Sequence, residues 1–381
     1  MVHWRRLATV AGLYGFAAIA AAAASVSVRA DVIESQVQRF EAVVLTNGLK
    51  NPWGLAFLPD GRMLVTERPG RLRVFEDGKG LSEPVAGVPE VAARGQGGLL
   101  DIVLYPDHAA NGWIYMSHAV PREGGARTAV SRARLDGGAL RDLETVFVAK
   151  NPGSGGVHFG SRLAFGTDGK LYVSAGERGN ANQAQNPKNH NGTVLRLNDD
   201  GSIPSDNPFV GQNDALPSIF TYGHRNPQGM IRHPVRNEIW VHEHGPQGGD
   251  EINRLVGGAN YGWPVVTFGR SYAGFSIGEG SAKDGMEPPL HHWTPSIAPS
   301  GMMFYDGDAF PRWRGNLFVG SLKFRYLARL VLDGTRVVSE ERLVERDFRR
   351  VRDVRQGPDG MIYVLTDESD GQLIRLQPVP E

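Results

Sequence analysis

The chain contains Leu58-Pro59-Asp60-Gly61 followed directly by Arg62-Met63-Leu64-Val65-Thr66-Glu67. Proline sets the φ of a turn, aspartate bonds back to its own backbone, and glycine accepts a positive φ. The run after the glycine is apolar over Met63-Leu64-Val65 and includes the β-branched Val65 and Thr66, as is typical of a strand. The whole unit therefore predicts a tight turn that leads into a buried strand.

Five further copies of this turn-and-strand unit follow, at 105–107 with 112–116, 166–169 with 170–174, 233–234 with 238–241, 310–311 with 316–320, and 357–360 with 361–365. Repeats at such spacing indicate an array or a propeller. The copies predict an all-β fold, a six-bladed β-propeller with four-stranded antiparallel blades. The 49 glycines suit the many tight turns that this fold needs. A generic all-β sandwich with glycine-rich hairpins is the alternative.

The first thirty residues have the pattern of a secretory signal. Arg5 and Arg6 precede an apolar run from Leu7 to about Ala24, and Val28-Arg29-Ala30 offers a small-residue cleavage site. We expect residues 1–30 to be removed and residues 31–381 to form one propeller domain, periplasmic or secreted, without stable membrane insertion. A retained anchor is the alternative, and the adjacent arginines leave twin-arginine export open.

Composition narrows the function classes. Lys and Arg number 41, and so do Asp and Glu. Because no basic block appears outside the signal, nucleic acid is not an expected partner. Cysteine is absent, so an exported form of this chain relies on burial and ring closure rather than on disulfides.

Four loop segments carry more polar residues than a turn needs. They lie at 94–100, 158–163, 222–229 and 243–253, and the last is followed by Asn260-Tyr261-Gly262-Trp263-Pro264. Propellers bind their substrates at one mouth of the central channel, where loops sit on a rigid scaffold. We expect these segments to meet there.

In this order, the Gly-His-Arg-Asn-Pro-Gln-Gly, Gly-Asp-Glu-Ile-Asn and Asn-Tyr-Gly-Trp-Pro motifs resemble the soluble quinoprotein glucose/sorbosone dehydrogenase family. Within it, the chain is most similar to the periplasmic aldose sugar dehydrogenases that use pyrroloquinoline quinone (PQQ). The resemblance runs from about Leu49 to Leu376. It implies a six-bladed propeller that oxidises the C1 hydroxyl of an aldose to a lactone, with PQQ and Ca²⁺ as cofactors. The electron acceptor stays unknown.

The resemblance places the catalytic base at His158. Sugar oxidation removes a proton from the C1 hydroxyl as hydride leaves C1, and histidine is suited to that task near neutral pH. From the residues alone, a turn histidine bonded to backbone is an equal alternative. Val157 stands where some glucose dehydrogenases carry Asp, so an orienting carboxylate must come from elsewhere or be missing.

Further family positions fall on Gln96, Arg225 and Asn226, which the resemblance makes contacts of the cofactor or substrate. A guanidinium beside a quinone carbonyl can stabilise the oxyanion that forms as hydride arrives. For Arg225 the alternative is an ion pair with Asp250 or Glu251.

Because PQQ bears three carboxylates, its pocket should be cationic. The resemblance assigns this role to Lys323, Arg350 and Arg352, whereas Arg349 and Arg355 are interpreted as solvated charges of the strand edge. Trp293 is open to two interpretations, stacking on a ligand or packing in a blade.

The metal assignments also rest on resemblance. Gly245 and Pro246 match a calcium site built from backbone carbonyls, and Glu251 and Tyr261 match positions near a second calcium. His244 stands where glucose dehydrogenases carry Gln.

Two rival functions remain open. A calcium-dependent propeller hydrolase of the sugar lactonase type would need side-chain carboxylates converging on the metal, whereas these loops are rich in Arg, Asn and His. A non-catalytic binding propeller would leave His158 and the arginines without a role.

Overall fold

The computed structural model describes residues 32–150, 153, 155–345 and 349–379, so the predicted signal at 1–30 lies outside the described residues. Within that part, six antiparallel sheets account for nearly all regular structure. The helical segments are short, namely α1 (His108–Asn111) and two 3₁₀ turns at Ala181–Gln185 and Pro311–Trp313. No helix in the described ranges has the length and apolar character needed to cross a membrane.

Twenty-five strands build the sheets. The first ten are β1 (Val32–Glu34), β2 (Arg39–Leu49), β3 (Pro52–Phe57), β4 (Met63–Glu67), β5 (Arg71–Glu76), β6 (Gly80–Leu81), β7 (Leu99–Leu104), β8 (Trp113–Arg122), β9 (Gly125–Asp136) and β10 (Ala139–Val148). The next eight are β11 (Leu163–Phe165), β12 (Leu171–Ala175), β13 (Thr193–Leu197), β14 (Ile219–Tyr222), β15 (Pro227–Arg232), β16 (Ile239–Glu243), β17 (Asp250–Arg254) and β18 (His291–Trp293). The last seven are β19 (Pro299–Phe304), β20 (Leu317–Ser321), β21 (Leu327–Asp333), β22 (Arg336–Leu343), β23 (Val351–Gln356), β24 (Ile362–Thr366) and β25 (Gly371–Pro378).

The predicted six-bladed propeller is confirmed, and the sandwich alternative is wrong. Blades 1 to 5 each use four consecutive strands, from β3–β6 to β19–β22. The first strand of every blade contacts the first strands of both neighbouring blades, β23 returning to β3, so the ring closes. Side chains of adjacent blades fill the space between them, as Leu64 does with Ile102 and Met116.

Blade 6 departs from the predicted four strands, because it has five in the order β1-β2-β25-β24-β23. The amino-terminal β2 pairs with the carboxy-terminal β25, with Ala42 opposite Leu376 and Val44 opposite Ile374. Both ends of the domain are therefore fastened in one sheet, which closes the ring without a disulfide.

Every predicted strand of the repeat is the second strand of its blade. Each observed strand begins one residue after the predicted start, and the ends agree within two residues except in β8, which continues six residues further to Arg122. The turn before it therefore joins the first strand to the second. In an antiparallel sheet the start of the first strand, the end of the second and the start of the third lie at the same edge. The polar loops occupy these positions, so they gather at one mouth, opposite the six turns.

Three buried charges and the partly buried Arg355 close the channel below that mouth. Arg162, which is 1% exposed, lies 3.1 Å from Asp101 and 3.0 Å from Asp353, and Arg355 lies 2.9 Å from each of the same carboxylates. Arg355 is thus part of the channel and not of a solvated edge, which corrects the sequence interpretation. Buried ions are tolerated when they are paired and hydrogen-bonded.

Removing one charge of this cluster should destabilise the ring. Asp101→Asn leaves two guanidinium groups sharing one carboxylate, so we expect a loss of about 3–5 kcal/mol in the free energy of unfolding. Denaturant titration measures it. Asp142→Asn is the control, because that exposed aspartate bonds Arg134 at 2.7 Å in solvent and should contribute no more than about 1 kcal/mol. Equal losses of stability in both variants would contradict the proposal that the buried cluster stabilises the ring more than a surface ion pair does.

Candidate active site

A cavity of about 340 Å³ opens at the mouth that carries the polar loops. All six blades contribute to its walls, through the first strands β3, β7, β15 and β23, the loops before β7, β11, β15, β19 and β23, and the loops after β4, β16, β20 and β24. The lining residues are Trp53, Arg68, Gln96, Leu100, Phe159, Gly160, Asn226, Gln228, His244, Ala298, Leu322, Arg350, Arg352 and Asp367. Trp53 forms the floor, with the Arg162 guanidinium of the channel cluster 4.1 Å from its ring.

The cavity is cationic. Arg68, Arg350 and Arg352 line it together with a single carboxylate, Asp367. The Asp367 carboxylate accepts bonds from Arg352 at 2.6 Å and from Arg350 at 3.4 Å. Burial alone would raise the pKa of Asp367, but the charge and hydrogen bond of Arg352, aided by Arg350 and Arg68, hold it below its usual value. Three cations against one anion leave an excess of positive charge for an anionic ligand.

Arg352 has unused bonding capacity in this wall. Its NH1 group reaches Gln228 at 3.3 Å, while its buried Nε has no hydrogen-bond partner among the described residues. A buried donor without a partner costs about 1–3 kcal/mol, so a ligand oxygen at this position would be favoured.

The sequence-predicted cationic residues do not all lie together. Arg350 and Arg352 face the cavity, whereas Lys323 is exposed just outside it, with its ammonium group 5.0 Å from the Phe324 ring. Arg349 is exposed and donates to the Asp370 carbonyl at 3.2 Å, as expected for an edge charge. Arg68 was missed by sequence reasoning, because it follows the second strand of blade 1 and belongs to none of the four polar segments.

His158 sits beside the cavity, between the lining residue Phe159 and Val157. Its Nδ1 lies 2.8 Å from Oε2 of Glu177, and its backbone N–H donates to Oε1 of the lining residue Gln96 at 2.8 Å. Since a carboxylate can only accept here, Nδ1 carries the proton and Nε2 is left bare. Among the described residues Nε2 has no hydrogen-bond partner.

Glu177 is the orienting carboxylate that the sequence left open. It lies just after β12, and the adjoining Gly176 explains how the two loops approach each other. A Cβ on Gly176 would come within 2.3 Å of the His158 carbonyl oxygen. His158 itself has a φ of 52°, a conformation that costs a non-glycine residue about 1–3 kcal/mol and persists only where its surroundings impose it.

A signal for Glu177 was present in the sequence. In the next blade Nδ1 of His224 donates to Oε1 of Glu243 at 2.7 Å, and its Nε2 lies 2.9 Å from the Thr221 hydroxyl. The two His–Glu pairs both have a separation of 19 residues. The same position of the repeat therefore supplies a carboxylate to the histidine of the preceding loop in both blades.

Arg225 is held by backbone rather than by acids. Its NH1 donates to the carbonyls of His244 at 3.0 Å and Gly245 at 3.1 Å, and its own N–H donates to Glu243. The alternative ion pair with Asp250 or Glu251 is not formed. Arg225 does not line the cavity.

The neighbouring Asn226 does line it, and its Oδ1 accepts the Gly160 N–H at 3.1 Å. Asn226 therefore ties the loop of blade 4 to the loop of blade 3 that carries His158.

The loop with Gly245 and Pro246 is fixed by Asp250. One carboxylate oxygen accepts the Gly245 N–H at 2.8 Å, and the other accepts the N–H groups of Ile297 at 2.7 Å and Ala298 at 3.0 Å. Burial raises the pKa of Asp250 to about 6. These bonds hold the loop that carries the Gly245 and Pro246 carbonyl groups.

Glu251 and Tyr261 lie away from the lining residues. Glu251 is paired directly with Glu243 across β16 and β17, and burial, reinforced by the charge of Glu243, raises its pKa well above the usual value. The Tyr261 hydroxyl donates to the Arg254 carbonyl at 2.6 Å, and its ring stacks on His224 at 4.6 Å.

His244 and Trp293 have different surroundings. His244 lines the cavity, and burial lowers its pKa well below the ordinary value, so the ring is neutral. Its Nε2 faces the Pro299 carbonyl, which places the proton on that atom. Trp293 is buried in the core between blades 4 and 5 and donates to Glu340 at 2.8 Å, so it packs in a blade.

Comparisons with known proteins agree with this arrangement. A family model described as glucose/sorbosone dehydrogenase matches residues 49–375. The aldose sugar dehydrogenase YliI of Escherichia coli is 47% identical over 341 residues, which cover 88% of this chain and 92% of that protein. Quinoprotein glucose dehydrogenase B of Acinetobacter calcoaceticus is 31% identical, with 88% and 87% covered.

Solved structures give the same result. The apo form of the soluble aldose sugar dehydrogenase from Escherichia coli matches with a TM-score of 0.86 at 46% identity, over 89% of this chain and 100% of that one. The PQQ-bound aldose sugar dehydrogenase of Streptomyces coelicolor matches with a TM-score of 0.72 at 27% identity, over 89% and 98%.

The fold, the site and these matches define an oxidoreductase of the sugar dehydrogenase class. The chain belongs to the glucose/sorbosone dehydrogenase family, which confirms the resemblance found in the motifs.

The pairing of His158 with Glu177 can be tested by Glu177→Gln. The amide can donate to Nδ1, which would move the imidazole proton to Nε2 and abolish the bare acceptor. We expect sugar turnover to fall by about 10²–10⁴, approaching that of His158→Ala. Glu90→Gln, an exposed carboxylate on the loop before β7, is the control. Wild-type turnover in Glu177→Gln, with His158→Ala inactive, would remove Glu177 from the mechanism.

Proposed function

We propose that this protein oxidises the C1 hydroxyl of aldose sugars to the lactone, with PQQ as the hydride acceptor and Ca²⁺ beside it. The observation on which the proposal rests is the cavity in which three arginines face one carboxylate, next to a histidine with a bare Nε2. A tricarboxylate suits the excess charge, and the histidine suits removal of a hydroxyl proton.

The residues present fit that cofactor. Arg350, Arg352 and Arg68 would bind its carboxylates, with the unpartnered Nε of Arg352 as one donor. We also propose Lys323 as a cofactor contact at the rim, because this exposed residue directly follows the lining residue Leu322 in the chain. Gln96 and Asn226 supply neutral polar contacts from the same wall.

When bound, the quinone would supply the electrophile that takes up hydride from C1. The protein's own contribution is proton removal and charge stabilisation. Nε2 of His158 would accept the proton of the C1 hydroxyl, and Glu177 would stabilise the imidazolium that results. We also propose that the Arg225 guanidinium, which does not line the cavity but donates to the carbonyl of the lining residue His244 at 3.0 Å, would stabilise negative charge that develops on the acceptor.

Calcium is proposed at the carbonyl oxygens of Gly245 and Pro246, and hard oxygen donors suit this ion. The loop that presents them is fixed by Asp250. A second calcium is proposed near Glu251 and Tyr261, where a cation would offset the facing carboxyl groups of Glu251 and Glu243.

The hydrolase alternative lacks a comparable basis. Within the residues that the structure describes, no group of three or more His, Cys, Asp or Glu side chains is placed to hold a metal ion.

We further propose that residues 1–30 direct export and are removed, leaving the propeller in the periplasm or outside the cell. The run from Leu7 to Ala24 and the small residues before Asp31 support this. Mass spectrometry of the exported protein would detect an amino terminus near Asp31.

The arginines should divide into two roles. Arg352→Ala removes charged hydrogen bonds worth roughly 1.5–3 kcal/mol, so we expect quinone affinity to fall by about one to two orders of magnitude and activity to return with excess quinone. Arg225→Ala should instead lower turnover that saturating quinone does not restore. Titrating quinone into each variant, with exposed Arg349→Ala as control, separates affinity from turnover. Equal rescue of both would place Arg225 among the cofactor-holding residues.

Metal removal should also be informative. Chelation should abolish sugar oxidation and Ca²⁺ should restore it, because the ion would polarise the quinone carbonyl as a Lewis acid. Activity and metal content are measured on the same sample. Full activity at zero measured metal would exclude the calcium assignment.

A further inference from the structure

Arg178 follows Glu177 directly and is almost completely buried, with 5% exposure. Its φ of 63° places it in the left-handed region, which turns the side chain back toward the segment that leads to His158. The guanidinium ends between the two residues that flank the histidine in sequence.

The contacts of Arg178 bracket His158. NH1 donates to the carbonyl of Val157, the preceding residue. NH2 donates to the Gly155 carbonyl at 2.9 Å, and the guanidinium carbon lies 3.3 Å from the ring centroid of Phe159, the following residue. Arg178 uses both terminal amino groups as donors and the flat face of its guanidinium against the Phe159 ring. Lysine cannot reproduce this combination of contacts.

We infer that Arg178 is a positioning residue that holds His158 in its left-handed conformation, so that Nδ1 meets Glu177 and Nε2 stays free. The inference rests on the proposed role of His158 as base. Gln96 fixes the backbone N–H of the histidine and Glu177 fixes its ring, but neither holds the residues on both sides. Arg178 does, and it does not line the cavity.

The glycines around it are consistent with this packing. A Cβ on Gly153 would lie 2.5 Å from the Cβ of Arg178. Gly153→Ala therefore displaces the arginine while keeping every charge, and it offers a second variant beside Arg178→Lys.

The control is Arg196→Lys in the same blade. Arg196 lies in β13, is buried, and bonds Asp168, Asp206 and Asn207, none of which bonds His158. It should cost stability as Arg178→Lys does, without acting on the histidine.

Two measurements test whether Arg178 positions His158. Both are made at a temperature below the unfolding transition of each variant. Turnover of quinone-loaded Arg178→Lys should fall about 10–100-fold, since misplacing a catalytic group by about 1 Å has an effect of this size. Quinone affinity should change less than about threefold. Arg196→Lys should turn over as the wild type does.

The second measurement is nitrogen NMR of histidine-labelled, cofactor-free protein, with the His158 signal assigned by His158→Gln. Wild type and Arg196→Lys should show the tautomer protonated at Nδ1, whereas Arg178→Lys and Gly153→Ala should show averaging of both tautomers. If Arg178→Lys and Gly153→Ala both showed only the tautomer protonated at Nδ1, the positioning role of Arg178 would be overturned, whatever the turnover of these variants. Normal turnover in His158→Gln would instead overturn the proposed base, and the tautomer result would still decide the role of Arg178.

Discussion

The positions of the loops at the mouth of this propeller depend on the side chains that fill its central channel. Six wedge-shaped blades leave a channel, and Arg162, Arg355, Asp101 and Asp353 close it with equal numbers of each charge. Their spare atoms bind backbone from other blades: Asp353 accepts the Leu55 N–H, Asp101 accepts the Leu163 N–H, and Arg162 donates to the Gln228 carbonyl. Because the first strands are tied together at one level, the loops above them start from fixed positions. The preorganisation of the site begins here.

The repeat also supplies a common device for holding these loops. A glutamate at or just after the end of the second strand accepts a bond from the loop before the first strand of its blade. Glu67 accepts the Lys50 N–H, Glu368 accepts the Arg350 N–H, and Glu177 and Glu243 each meet a histidine. The device is structural in blades 1, 4 and 6. Among the residues that the structure describes, only the histidine of blade 3 pairs with such a glutamate beside the cavity and keeps a ring nitrogen bare, so the same scaffold position carries the proposed base there.

Sequence reasoning recovered the elements whose cause is local. Turn residues and β-branched runs predicted the second strand of every blade, and motif order predicted which loops would meet. Individual side-chain contacts between loops that are distant in the sequence could not be predicted. Glu177 was missed although it lies 19 residues after His158, because the pairing depends on two strand ends lying at one edge. Arg68 and Asp367 were missed for the same reason, and Arg355 was misread because spacing on a strand does not tell a channel from an edge.

Asp367 explains how a cavity with three arginines is stable before any ligand arrives. Unpaired, the guanidinium groups of Arg68, Arg350 and Arg352 would repel one another in a partly dry space. Asp367 binds one side of Arg352, whose Nε stays free for a second anion. The affinity for an anionic ligand then depends on the positive charge that Asp367 leaves uncompensated and on the hydrogen bonds that the ligand forms with the arginines. A monoanion would leave one of the two remaining positive charges uncompensated, whereas a ligand with two or more carboxylates would offset both, so the remaining charge of the cavity favours an anion with more than one carboxylate.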